Sequence, residues 1–130
     1  MIEVNNFTRF RVDGKYLQKL AGKILEGEKK SDTELSISLV NKAEIKRLNK
    51  KYRNINKPTD VLSFTYKNSG EIVISPQVVK ENARIYGVIF KKELMRVLAH
   101  GALHALGYDH EKGVKTAEKM RKKEEKYLST

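Results

Sequence analysis

All three histidines of the chain fall within HGALHALGYDH, residues 100 to 110, and their spacing constrains how this part of the chain folds. The apolar residues from Leu94 to Leu106 recur at helical intervals, so the segment reads as a helix. His100 and His104, four residues apart, then project from one face a turn apart. Gly107 suits a left-handed helix end, and the reversal after it can return His110 toward the first two. A helix, a glycine turn and a third histidine on the following loop together describe ligands of one metal ion.

Imidazole nitrogen binds zinc at about 2.0 to 2.1 Å, and three protein ligands leave a fourth position for water or substrate. Because three neutral ligands leave the ion's charge uncompensated, bound water is acidified toward a pKa of about 7 and phosphoryl or carbonyl oxygens are polarised. That is the equipment of a hydrolase. Imidazole also suits nickel, copper and iron, so zinc (Zn2+, one ion) is the first expectation among several. The zinc peptidase pattern HExxHxxGxxH has the same histidine and glycine spacing, but Gly101 occupies the place of its glutamate base. Gly101 costs about 1 kcal/mol relative to alanine inside a helix, which either close packing or room for substrate would justify.

With 130 residues the chain is expected to form a single domain with a real core. No apolar run approaches the length of a membrane span, and MIEVNNFTRF does not read as a signal peptide, so a cytoplasmic protein without a membrane partner is expected. The absence of cysteine excludes disulfides, thiolate ligation and thiol catalysis. Lys and Arg number 27 against 16 Asp and Glu, a formal charge of +11 that favours a polyanionic partner, nucleic acid first. The basic residues concentrate in Lys42 to Lys57 and in Lys119 to Lys126. The second stretch also holds Glu124 and Glu125 and reads as a solvated helix face.

Strand and helix patterns alternate along the chain. Ile2 to Asn5 reads as an edge strand, and Tyr16, Leu17, Leu20, Ala21, Ile24 and Leu25 as the stripe of a first helix. Leu35, Ile37 and Leu39 alternate with serines as a half-buried strand. Asn41 and Glu44 resemble a capping box for a helix whose inward stripe is Ile45, Leu48 and Tyr52. Val61 to Tyr66 and Glu71 to Ile74 read as a hairpin turned through Lys67, Asn68, Ser69 and Gly70. Ser75 and Pro76 open a helix carrying Val79, Ala83 and Tyr86 and ending at Gly87. After the histidine loop, Ala117, Met120, Glu124, Tyr127 and Leu128 mark a terminal helix with a thin apolar face, one that can fray without destroying the site. The fold class expected is α+β: a small mixed sheet of about four strands covered by helices, the histidine helix near the C-terminus.

Taken together, LNKKYRNINKPTDVLSF at 48 to 64, GEIVIS at 70 to 75 and HGALHALGYDH resemble, in that order, the YbeY family of bacterial endoribonucleases and ribosomal RNA maturation factors. Gly70 and Glu71 stand where a Gly-Asp pair is expected, and the hairpin before them is shorter than in many relatives. The resemblance implies that His100, His104 and His110 hold a metal, usually zinc, and that Arg53 lies in the adjacent cleft and serves catalysis. It also implies a single-stranded RNA substrate, a role in 16S ribosomal RNA 3' end maturation and ribosome quality control, and the ribosome or its assembly factors as partners. Such a site would suit cleavage if Arg53 forks onto the phosphate, with Lys50, Lys51 and Lys57 along the backbone and Tyr52, Phe64 or Tyr108 against bases. For Asp109 three roles stand open: orienting an imidazole, accepting a proton from metal-bound water, or bonding its own turn. Glu93, seven residues before His100, is a weaker candidate for the same work. The alternative is an assembly or RNA-binding factor whose metal is structural.

Overall fold

The computed structural model describes residues 1 to 108 and 114 to 129. Four strands, β1 (Ile2–Asn6), β2 (Glu34–Leu39), β3 (Val61–Thr65) and β4 (Ser69–Ile74), form one sheet in the order β1-β2-β4-β3. β1, β2 and β4 run parallel, and β3 returns antiparallel to β4. The helices are α1 (Gly14–Gly27), α2 (Lys42–Arg53), α3 (Pro76–Tyr86), α4 (Phe90–Ala105) and α5 (Val114–Leu128). This is the expected mixed four-stranded α+β architecture.

The period-two pattern sorts each strand between two cores. Leu35, Ile37 and Leu39 of β2, with Ile72 and Ile74 of β4, face the larger core with α1, Val79 of α3, α4 and Met120 and Tyr127 of α5. Leu62 and Val73 point to the opposite face, where they meet Val40 and Ile45. Each fully buried Leu or Ile contributes about 1.5 to 3 kcal/mol, so the registry Val4, Ile37, Ile72 across three strands cannot slip by one residue without exposing the set.

α4 is the central helix of the larger core. Leu94, Val97, Leu98, Ala99, Ala102, Leu103 and Ala105 are buried around most of its circumference. Gly101 is there for close approach: a Cβ would lie 2.9 Å from Val61 Cγ2 and 3.0 Å from Ile72 Cγ2. Packing against the sheet, rather than room for a substrate, is therefore what the glycine provides.

Several local expectations change. The hairpin turns through Tyr66, Lys67 and Asn68, and Ser69 and Gly70 belong to β4. Gly70 is buried where α4 crosses, a Cβ meeting Ala105 Cβ and Leu35 Cδ2 at 3.0 Å, so its smallness serves packing and not turning. Tyr52 and Tyr86, read as inward residues, are 51% and 61% exposed. Asn41 caps α2 by accepting from the Glu44 amide, but the Glu44 carboxylate bonds Arg47 instead of closing the box. Ser75 precedes α3 without a side-chain cap bond.

Candidate metal centre

One face of α4 carries Glu93, which is buried, and the more open Arg96, His100 and His104, at intervals of three and four residues. His100 and His104 are partly buried, with ring centroids 4.6 Å apart at an interplanar angle of 75°. Their Nε2 atoms face each other at 3.1 Å. Two nitrogens bound tetrahedrally to one zinc ion would be separated by about 3.3 Å, given bonds of about 2.0 to 2.1 Å. The pair is thus already spaced as two ligands of one ion.

A carboxylate behind the first ring strengthens that fit. His100 Nδ1 lies 2.8 Å from Glu124 Oε1 on α5, and both side chains are largely shielded. An ionised carboxylate only accepts, so Nδ1 carries the proton and Nε2 keeps its lone pair toward His104. Metal-binding histidines are typically oriented this way, by a carboxylate on the other ring nitrogen. α5 is therefore part of the site, contrary to the expectation that it is dispensable. In the sequence Glu124 falls both in the solvated basic stretch and at one position of the thin apolar face. Its signal was that position: a glutamate between Met120 and Tyr127 on an inward stripe needs a partner.

The other expected site residues divide in two groups. His110 and Asp109 lie outside the described residues, and among those described no set of three His, Asp or Glu side chains gathers to hold an ion. Glu93 and Arg96 are turned toward each other. Arg96 donates from Nε and Nη2 to the two oxygens of Glu93 at 2.9 and 2.7 Å, and its Nη2 lies 4.0 Å from Asp60. That bond to Glu93 raises the Arg96 pKa above its ordinary value.

Arg53 is brought to the histidine helix through β3. α2 ends where Asn54 adopts φ 59°, and buried Asn49 donates to Lys57 O at 2.9 Å, folding the following loop back toward Pro58 and β3. The Arg53 guanidinium donates to Ser63 O at 2.7 Å and lies 4.9 Å from the Phe64 ring centroid. The next contacts lead to α4, because Ser63 Oγ donates to Gly101 O at 2.8 Å and Thr65 Oγ1 to His104 O at 3.2 Å. Two strand residues thus link the arginine and the histidines. Phe64 packs against the smaller core, while Tyr52 meets its edge at 5.3 Å with half its own surface exposed. Within the basic stretch of α2, Lys42 and Arg47 pair with Glu81 and Glu44, whereas Lys50, Lys51 and Lys57 stand exposed around Arg53.

A solution structure of a Thermotoga maritima protein superposes with a TM-score of 0.74 and 36% identity, covering 98% of this chain and 87% of that one. The fold therefore belongs to a known class of α+β protein. The sequence model of the family described as Endoribonuclease YbeY matches residues 3–130, and the chain belongs to that family. A Thermotoga maritima relative named Endoribonuclease YbeY is 42% identical over 119 residues, 88% of this chain and 79% of the relative. One from Aquifex aeolicus with the same name is 42% identical over 106 residues, 76% and 71% of the two chains. No helix among the described residues is long and apolar enough to cross a membrane.

Proposed function

We propose that this chain, an endoribonuclease as the name of its family indicates, acts as a single domain and cleaves single-stranded ribosomal RNA. The observation that supports a metal-dependent reaction best is the His100 and His104 Nε2 pair, 3.1 Å apart and backed by Glu124. His100, His104 and His110 would hold the ion, zinc first among the metals that imidazole suits. When bound, such an ion supplies a Lewis acid for the phosphoryl oxygen and acidifies water.

The remaining work falls to the chain's own groups. Arg53, held by Ser63 O and stacked on Phe64, keeps further N–H donors for a phosphate, whose negative charge grows as the bond to the nucleophile forms. Lys50, Lys51 and Lys57 supply salt-sensitive affinity for the backbone, and exposed Tyr52 offers a face to an unpaired base. Asp109 remains the proposed orienting or proton-accepting carboxylate beside His110.

The test compares wild type, His104→Ala and Arg53→Ala on a fluorescent single-stranded RNA, measuring binding and cleavage separately. Arg53→Ala is expected to bind RNA within a few-fold of wild type while its kcat falls about 100-fold, the effect of losing one preorganised charge donor. Cleavage by Arg53→Ala at the wild-type rate removes the arginine from the reaction. RNA binding with no cleavage by the zinc-loaded wild type would instead favour an assembly factor.

A further inference from the structure

We propose that Glu28, just past the C-terminal end of α1, is a positioning residue for the candidate metal site. The proposal rests on the metal reading above. Glu28 follows the last turn of α1 and caps it, its amide donating to Ile24 O at 2.9 Å. Its side chain is only 7% exposed. One carboxylate oxygen accepts from Tyr108 Oη at 2.6 Å, and the other accepts from Tyr127 Oη and from Lys123 Nζ at 3.0 Å.

These three donors come from the two segments that must be aligned for the site to work. Tyr108 is the first residue after Gly107, whose φ of 105° ends the histidine helix, and its amide donates to Leu103 O at 3.1 Å. Lys123 and Tyr127 lie one residue before and three residues after Glu124, the partner of His100. A single buried carboxylate thus ties the exit of α4 to the stretch of α5 that carries Glu124. Burial alone would push the Glu28 carboxyl up, but the bonds from Tyr108, Tyr127 and Lys123 hold it below its ordinary range, so the acceptor is ionised at neutral pH.

The sequence around Glu28 is fitted to this clamp. A Cβ on Gly27 would enter the Tyr127 ring, so the glycine is what lets that tyrosine reach the end of α1. Met120 and Tyr127 bury α5 against the core, and Lys23 Nζ donates to Tyr127 O at 3.1 Å. Glu28 adds bonds to Lys123 and Tyr127, on either side of Glu124, and to Tyr108 at the exit of α4. Without Glu28, α5 keeps its apolar contacts and loses the bonds that fix where Glu124 stands along His100.

The experiment measures zinc affinity of the full chain by competition with a fluorescent chelator, alongside thermal unfolding and the kcat of RNA cleavage at rising zinc. Glu28→Gln is expected to bind zinc about 10- to 100-fold more weakly, the range for loss of an outer carboxylate, with kcat recovering at saturating zinc. Ile37→Val, a core variant with a comparable fall in Tm, should keep wild-type zinc affinity. If Glu28→Gln does not fold, Tyr108→Phe decides, with an expected loss of about 3- to 10-fold, less than the carboxylate's because the bonds to Tyr127 and Lys123 remain. Zinc affinity within two-fold of wild type in the folded variant, with His104→Ala strongly impaired, overturns the positioning role alone. Unchanged affinity in His104→Ala overturns the metal reading and the proposal with it.

Discussion

Two polar pairs share one face of α4, and they are built on opposite principles. Glu93 and Arg96 are complementary: the acid is buried, the arginine meets both its oxygens, and nothing further is needed to satisfy either charge. A turn later, His100 and His104 turn like nitrogens toward each other, with a carboxylate behind His100 and backbone bonds tying the helix to β3. The first arrangement closes on itself, whereas the second sets two ring nitrogens 3.1 Å apart, a spacing that one metal ion between them would also require. A pair that satisfies itself holds a fold together; a pair of like donors shaped by its surroundings is prepared for a cation.

The largest effects should separate the two pairs. His100→Ala removes a proposed ligand and its bond to Glu124, and zinc affinity is expected to fall more than the roughly 100-fold upper range for losing an outer-shell partner, with cleavage lost at ordinary zinc concentrations. Glu93→Gln is expected to leave zinc affinity within two-fold and to lower stability by about 1 to 2 kcal/mol. That is less than the usual cost of breaking a buried ion pair, because Arg96 is 45% exposed and regains water. Chelator competition and urea unfolding of both variants check the two expectations together. A Glu93→Gln protein with weakened metal binding would break the distinction.

How much of this was legible depended on whether a residue's partner lay nearby in sequence. The alternation in Leu35 to Leu39, the stripe of α1, the glycine end at Gly107 and the spacing of His100 and His104 are local signals, and the structure keeps them. Gly70 misled because a glycine beside Asn68 and Ser69 carries a turn's composition, and only the crossing of α4 shows why a strand needs it there. Tyr52 and Tyr86 fall on helical spacing but sit near helix ends, where each leaves more than half its surface in solvent. Glu28 lies in a charged run and Glu124 among lysines, so each reads as a solvent residue until α5 docks. Their partners are 80 and 24 residues away, a separation that no periodicity encodes.

A smaller effect sharpens the comparison from the sheet side. The histidine face is held at its depth by Gly101, where an added methyl meets Val61 and Ile72 at about the limit of contact. Overpacking of this kind costs about 1 to 3 kcal/mol, and the better helix propensity of alanine returns about 1 kcal/mol. Gly101→Ala is therefore expected to lose about 1 kcal/mol, a fall in Tm of about 2 to 6 °C for a chain of this size. Adding Val61→Ala should recover part of that loss by removing the nearer methyl. Calorimetry of the single and double variants reads the outcome, and a Gly101→Ala protein as stable as wild type would mean that α4 is free to move away from the sheet.

The Glu28 clamp, unlike the contacts around Gly101, is expected to answer to pH. Glu28 is held below its ordinary value, 4.5, so its contribution to stability is complete above that value and is lost as pH falls through the lowered one. Tyr127 is shifted the other way, by burial and then by its bond to Glu28, so its contribution is complete below its ordinary value of 10.0 and is lost only as pH rises well above it. Between those limits the clamp is closed, and Glu28→Gln should cost about 1 to 2 kcal/mol there, as expected for hydrogen bonds to an ionised group. As the pH falls from 4.5 through that lowered value the wild-type carboxyl takes up a proton and the clamp weakens, while the amide has nothing to titrate. Unfolding free energies at pH 6, 5, 4 and 3 are therefore expected to converge for the two proteins as the pH falls. A gap that stays constant to pH 3 would show that the Glu28 charge is not what holds α5 in place.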